Sequence, residues 1–212
     1  MTVAPGIHQR RLLLAKSIIT LSDATKLGIV GEVWVDLGTR VVVALACQGR
    51  GLFPTSRLLP LSHIQVIGAD AVLVPNGEFS AEVPSEHLSR LVGHEVVTES
   101  GRFLGKIDDY SFDSTGGLDS FLISSDRLAG LIEGNYRMSA TETMTLGKER
   151  MIVRTGAEER LEKVDKGLSD WVAIGRKKAS ELASQATHLS PKPPEPPSVL
   201  EELPAAGEES PR

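Results

Sequence analysis

The stretch S-I-I-T-L-S-D-A-T-K-L-G-I-V-G-E-V-W-V-D, residues 17–36, decides the fold, and H-E-V-V-T-E-S-G-R-F-L-G-K-I-D-D-Y-S-F-D, residues 94–113, repeats it. Each starts with a short β-branched run and passes through a polar turn. Each then carries L-G before an apolar alternation that ends in aspartate. Val33 and Val35, followed by the run Val41-Val42-Val43-Ala44-Leu45, read as strands around the turn-forming Asp36-Leu37-Gly38-Thr39. Further short strands are expected near Leu58 to Leu61 and Ala71 to Val74. Short strands spaced by Gly and Asp suggest a small barrel.

Sliding the chain by 77 residues without a gap aligns Leu14 with Leu91, Ile19 with Val96, and Leu27-Gly28 with Leu104-Gly105. It also aligns Val30 with Ile107, Asp36 with Asp113, Val41 with Leu118 and Leu45 with Leu122. At a displacement of 79, Ile67-Gly68 meets Leu146-Gly147 and Leu73-Val74 meets Ile152-Val153. The matches fall on turn glycines, turn aspartates and alternating apolar positions, as an internal duplication requires. The expected organisation is two β-domains, 10–77 and 87–156, joined by a polar linker with Pro84. Gly28 and Gly105 are expected where a side chain would clash in a closing barrel, and Asp36 and Asp113 where a carboxylate bonds the backbone of a turn. Leu27, Val30, Val33 and Val35 are the candidate interior.

These segments resemble the opening hairpin of the PRC-barrel family. L-P-L-S-H-I-Q-V-I-G-A-D-A-V-L-V (59–74) resembles its closing strand, with a looser second copy in R-M-S-A-T-E-T-M-T-L-G-K-E-R-M-I-V (137–153). The resemblance covers about residues 12–156 and is to a tandem, two-copy protein of the cyanobacterial type. It implies a mainly β protein with two small PRC-type barrels. The family includes the cytoplasmic domain of a photosynthetic reaction-centre subunit and the C-terminal domain of a ribosome-maturation factor. The implied role is a non-enzymatic adaptor or scaffold for assembly, maturation or regulation of a larger complex, with a photosynthetic setting suggested by the resemblance alone. A ribosome- or RNA-associated maturation factor is the alternative.

Composition fits a folded globular chain. The 212 residues are 41% hydrophobic and 24% charged, enough for a core. Net charge is −5 and the pI about 5.6, which disfavours nucleic acid as a partner. A protein partner, of unassigned identity, is expected, with contact to a peripheral membrane complex left open; oligomeric state is not legible. One cysteine, Cys47, excludes an intrachain disulfide framework and reads as a buried thiol. No stretch reaches the ~18 apolar residues of a membrane span. The four-residue apolar patch after Arg10 and Arg11 is too short for a secretory signal, so a cytoplasmic setting is expected. No catalytic residue, metal ligand set or cofactor is assigned. His8, His63, His87, His94 and His188 are scattered, and no phosphate-binding, dinucleotide or nucleophile-elbow motif is present. Asp108 and Asp109 read as exposed polar positions.

Interface candidates are apolar and aromatic. Trp34 alternates with Val33 and Val35 and is expected to face outward and need cover. Arg50, Leu52 and Phe53 occupy one apolar-tipped loop; Leu131 lies in the equivalent loop of the second copy, with Tyr136 just beyond; Leu52, Phe53 and Leu131 either meet a partner or cap the barrel core. A C-terminal amphipathic helix is predicted over 157–186, with Leu161, Val164, Leu168, Trp171 and Val172 on one face and Arg176, Lys177 and Lys178 as a basic cluster; it either packs against its own domain or docks on a partner with Trp171 as anchor. The Pro/Glu-rich tail, 190–212, is expected to be disordered, acting as a docking peptide or as a solubilising tail.

Overall fold

A computed structural model describes residues 6–49, 56–77, 87–125 and 134–164. The described residues form almost only strands and turns, and their one α-helix, over Arg10–Leu13, is a single turn. The N-terminal arm is β1 (Ile7–Gln9) followed by α1 (Arg10–Leu13). Then come β2 (Ser17–Thr20), β3 (Lys26–Asp36), β4 (Val41–Gln48), β5 (Ser56–Pro60), β6 (Val66–Ile67) and β7 (Ala71–Val74). The second half repeats the series: β8 (Leu88–Ser89), β9 (Glu95–Thr98), β10 (Phe103–Asp113), β11 (Leu118–Ser125), β12 (Gly134–Ser139), β13 (Thr143–Leu146) and β14 (Arg150–Val153), with β15 (Glu162–Val164) added at the end. The first sheet runs β5-β4-β3-β2-β7-β6 and the second β13-β14-β9-β10-β11-β12-β15.

The two copies agree down to their irregularities. Register shifts interrupt the β3–β4 ladder between Val30 and Glu32 and between Trp34 and Val35. The β10–β11 ladder breaks at the corresponding places, between Ile107 and Asp109 and between Ser111 and Phe112. Such bulges bend a strand, which a small barrel needs. The gap-free alignment, however, slips. Ile18, not Ile19, corresponds to Val96, because each faces the crowded glycine of its long strand. Beyond the long strand Val42 corresponds to Leu118 and Leu45 to Phe121. Both hairpin turns are one residue shorter in the second copy, and a one-residue slip moves a side chain to the other face of a strand.

The arms exchange between the halves. β1, at the head of the first copy, pairs antiparallel with β10 of the second (Ile7 opposite Asp113, His8 opposite Phe112, Gln9 opposite Ser111). β8, at the head of the second copy, pairs with β3 of the first (Leu88 opposite Asp36, Ser89 opposite Val35). The chain crosses back through equivalent bends. Lys16 N–H donates to Leu13 O in one and His94 N–H to Leu91 O in the other, with Leu13 and Leu91 fully buried. Ala15, Leu91 and Gly93 take positive φ there. One continuous apolar core runs through both halves, from Leu13, Val33 and Leu59 to Tyr110, Phe121 and Val153.

The predicted helix over 157–186 is not what its first residues form. Gly156, at φ 82°, turns the chain into a single 3-10 turn at Ala157–Arg160, and Glu162–Val164 then pairs with β12. The second barrel therefore includes residues as far as Val164. Ala157 is buried in its core and Leu161 packs against it. The rest of that helix prediction and the tail lie outside the described residues.

Candidate interaction surface

The arm exchange brings together a cluster of polar side chains from both copies. Glu32 on β3 and Asp109 on β10 occupy the same position of the two copies, and α1 lies between them. Arg10 donates from Nε to Glu32 Oε1 at 2.8 Å and from Nη2 to Oε2 at 2.9 Å. Arg11 turns the other way, with Nη2 2.7 Å from Asp108 Oδ2 and its backbone N–H 3.2 Å from Asp109 Oδ1. Gln9 Nε2 donates to the second Asp109 oxygen at 2.7 Å. Adjacent arginines thus tie one copy to the other, and the two-pronged Arg10 contact fixes orientation as well as charge.

Asp109 corrects the expectation of an exposed acid: it has no exposed surface. The bulge after Ile107 puts Tyr110 and Phe112 in the core and Asp109 on the opposite face, where the arm covers it. Burial holds its carboxyl above the usual range, against the hydrogen bonds from Gln9 and the Tyr110 amide and the nearby guanidinium groups. Burial also raises the Tyr110 phenol. Tyr110 Oη donates to Val33 O at 3.1 Å, and Val33 is its own counterpart in the first copy. His8, against Phe112 with ring centroids 5.8 Å apart, has its imidazole pKa lowered by burial and then by Lys16. His94 is lowered by burial and shares a 3.0 Å hydrogen bond with Ser89 Oγ.

The long-hairpin turns also cross between copies. Arg40, beside the β3–β4 turn, donates from Nη1 to Thr143 O at 2.9 Å and from Nη2 to Met144 O. In return Val42 N–H donates to Gly116 O at 2.7 Å, and a Cβ on Gly116 (φ 91°) would lie 2.4 Å from Val42 O. The aspartates organise these turns. Asp36 Oδ1 accepts from the Gly38 and Thr39 amides at 2.7 and 2.9 Å; Asp113 Oδ1 accepts from the Thr115 amide and hydroxyl and the Gly117 amide. Asp36 is held below the usual range, chiefly by the Thr39 amide. Burial pulls Asp113 upward, but its hydrogen bonds outweigh that and leave it lowered. Gly28 and Gly105 stand where backbones nearly touch: a Cβ on Gly28 would lie 2.2 Å from Gln48 O, and one on Gly105 2.2 Å from Ser124 O.

Trp34 lies on the face opposite the fully buried Val33 and Val35. It is half-buried, and its indole N–H is buried without a hydrogen-bond partner. β8 stops at Val35, one residue short of it. Tyr136, placed by the sequence just beyond an apolar loop, sits inside β12 and is only 6% exposed, because its alternation points it into the second barrel. Arg50, Leu52, Phe53, Leu131, Trp171, Arg176, Lys177 and Lys178 lie outside the described residues. Cys47 is buried, and its thiol is raised by burial. The described residues hold no group of three or more His, Cys, Asp or Glu placed to bind a metal ion. No helix among them is long and apolar enough to cross a membrane.

The sequence reading missed Gln9, Arg10, Arg11, Arg40 and Tyr110. One signal was available: the 77-residue displacement places Glu32 on Asp109, two acids at one position of an otherwise apolar strand, which calls for a common basic partner.

No curated protein matches the chain. The PRC-barrel domain matches twice, over residues 6–80 and 84–160, and the first match begins at the exchanged arm. PRC-barrel domains are known protein-interaction modules of a non-catalytic family. The chain belongs to the PRC-barrel family and carries its domain in tandem.

Proposed function

We propose that the protein is a non-enzymatic adaptor whose paired barrels act as one two-faced unit in the assembly, maturation or regulation of a larger complex. The reciprocal exchange of β1 and β8 carries this reading. A pair of independent modules on a string would move relative to one another. Here the arms, the crossed hairpin turns and the shared core hold two related surfaces at one spacing, and fixed geometry lowers the entropic cost of engaging an extended or two-fold partner. A photosynthetic membrane complex is the setting the family resemblance points to.

The test is capture of the tagged chain from its native host after gentle cross-linking, in parallel with a chain ending at Val164, which keeps every described strand. A stoichiometric set of subunits from one complex, retained by the shorter chain, is the expected result. Retention only with residues 165–212 would move the contact out of the barrels. Ribosomal proteins and RNA would replace the reading with the maturation-factor alternative, and no enriched complex would overturn it.

A further inference from the structure

The two barrels differ at one edge. β12 is flanked on its outer side by β15, with Asn135 opposite Val164, Tyr136 opposite Lys163 and Arg137 opposite Glu162. β5 is the same strand in the first copy. It pairs with β4 as β12 pairs with β11, so that Ser56, Arg57 and Leu58 stand where Asn135, Tyr136 and Arg137 stand in the second. Among the described residues β5 has only β4 beside it and ends its sheet. Nor does the chain repeat, after β7, the sequence that makes β15. Pro84 stands as far beyond Gly77 as Lys163 stands beyond Gly156.

We infer that β5 is a strand-addition site, taking an extended segment of a partner protein antiparallel to Ser56–Pro60, as β12 takes Glu162–Val164. The inference rests on the adaptor reading and specifies how its partner binds. An exposed edge supplies backbone hydrogen bonds to any extended chain, and neighbouring side chains select among them. In the second barrel the selection includes charge: Arg137 Nη1 lies 3.9 Å from Glu162 Oε2. The charge shifts by one position in the first barrel. Arg57 is exposed where Tyr136 is buried, and Leu58 is half-buried where Arg137 stands. Opposite-charge and apolar cross-strand pairs are the favourable ones. The segment that fits has an apolar residue opposite Leu58 and an acidic residue opposite Arg57, with the acid at the position of Lys163 in β15 and not of Glu162.

The test compares the full-length chain with Arg57→Glu and Leu58→Lys in the capture experiment. Hydrogen exchange is followed at the Ser56–Leu59 amides of the unmodified chain, free and in the captured complex. Both variants are expected to melt with the native chain and to capture at least tenfold less complex, while those amides gain protection in the complex. Undiminished capture by both variants, or unchanged exchange at those amides, overturns strand addition and leaves the adaptor reading standing. Failure of the unmodified chain to capture any complex overturns both. If the variants melt early, the exchange measurement alone decides.

Discussion

Barrels one and two share strand order, bulges and turn aspartates, yet they fill the same central position differently. Where the first has Val33, the second has Tyr110, whose phenol reaches back to the Val33 carbonyl. Where the first has half-buried Trp34, the second has buried Ser111, bonded at 2.8 Å to Ser120. The first barrel gives its arm to a long strand lined with Asp109 and Ser111; the second gives a shorter arm to a strand lined with Glu32 and Trp34. Duplicated domains that only share a chain have no reason to diverge in matched pairs. These have diverged as the two sides of one interface do, each side fitted to the other.

Four measurements can break or sharpen that comparison. The largest effect is expected at the glycines. Gly105→Ala puts a Cβ against Ser124 O at φ 147°, where neither backbone can yield, and should cost about 3 kcal/mol or more. Gly28→Ala meets the same crowding without the positive φ and should cost less. Thermal melts of both rank the copies, and equal losses would show that steric contact alone sets the cost. Next comes removal of residues 1–9, which strips β1 and the Gln9 bond from β10. A loss of about 2–3 kcal/mol, as one cooperative denaturant transition moved to lower concentration, is expected for a single folding unit. Two separated transitions would show independent barrels.

Tyr110→Phe leaves the buried Val33 carbonyl without its phenol donor and should cost about 1–2 kcal/mol by denaturant titration. No loss would mean that another donor replaces the phenol.

The smallest effect lies in pH dependence. The Asp109 carboxyl is raised in the folded chain, so the folded state binds a proton more readily than the unfolded state. Its contribution to stability therefore falls as pH rises from the ordinary carboxylate range through its raised value. Asp36 and Asp113 act in the opposite sense, and their stabilisation is lost as pH falls through their lowered values. Asp109→Asn should abolish the first contribution alone. Relative to the native chain, the variant's stability advantage should shrink between neutral pH and the ordinary carboxylate range. A pH-independent difference would place the Asp109 charge outside the balance.

Much of this architecture was legible in residues 17–36 and 94–113. Alternation gives the strands, and the L-G pairs mark the two close backbone approaches. The C-terminal prediction went astray because Leu161 and Val164 are three apart, a spacing that suits a helix face. The same residues serve equally as a turn packed on the core followed by an edge strand, and Gly156 breaks any helix entering there. Asp109 was misplaced because strict alternation assumes a straight ladder, whereas the bulge after Ile107 changes the phase. The arm exchange was not legible at all. Ile7–Gln9 has no pattern that distinguishes β10 from β3 as its partner, and the choice is made by contacts about a hundred residues away in the chain.

That separation has a consequence for synthesis. Gln9 leaves the ribosome long before Asp109 is translated, since Asp109 stands 100 positions further along the chain. At roughly 5–20 residues per second, the arm waits about 5–20 s for the strand it will join. The first half waits a shorter time for Leu88 and Ser89, so it is completed only by the leading edge of the second. Neither half can be finished by its own residues, and a chain halted between them exposes both the waiting arm and the uncovered strand. Of the described segments that pair across the two halves, Ile7–Gln9 is the one made furthest ahead of its partner strand.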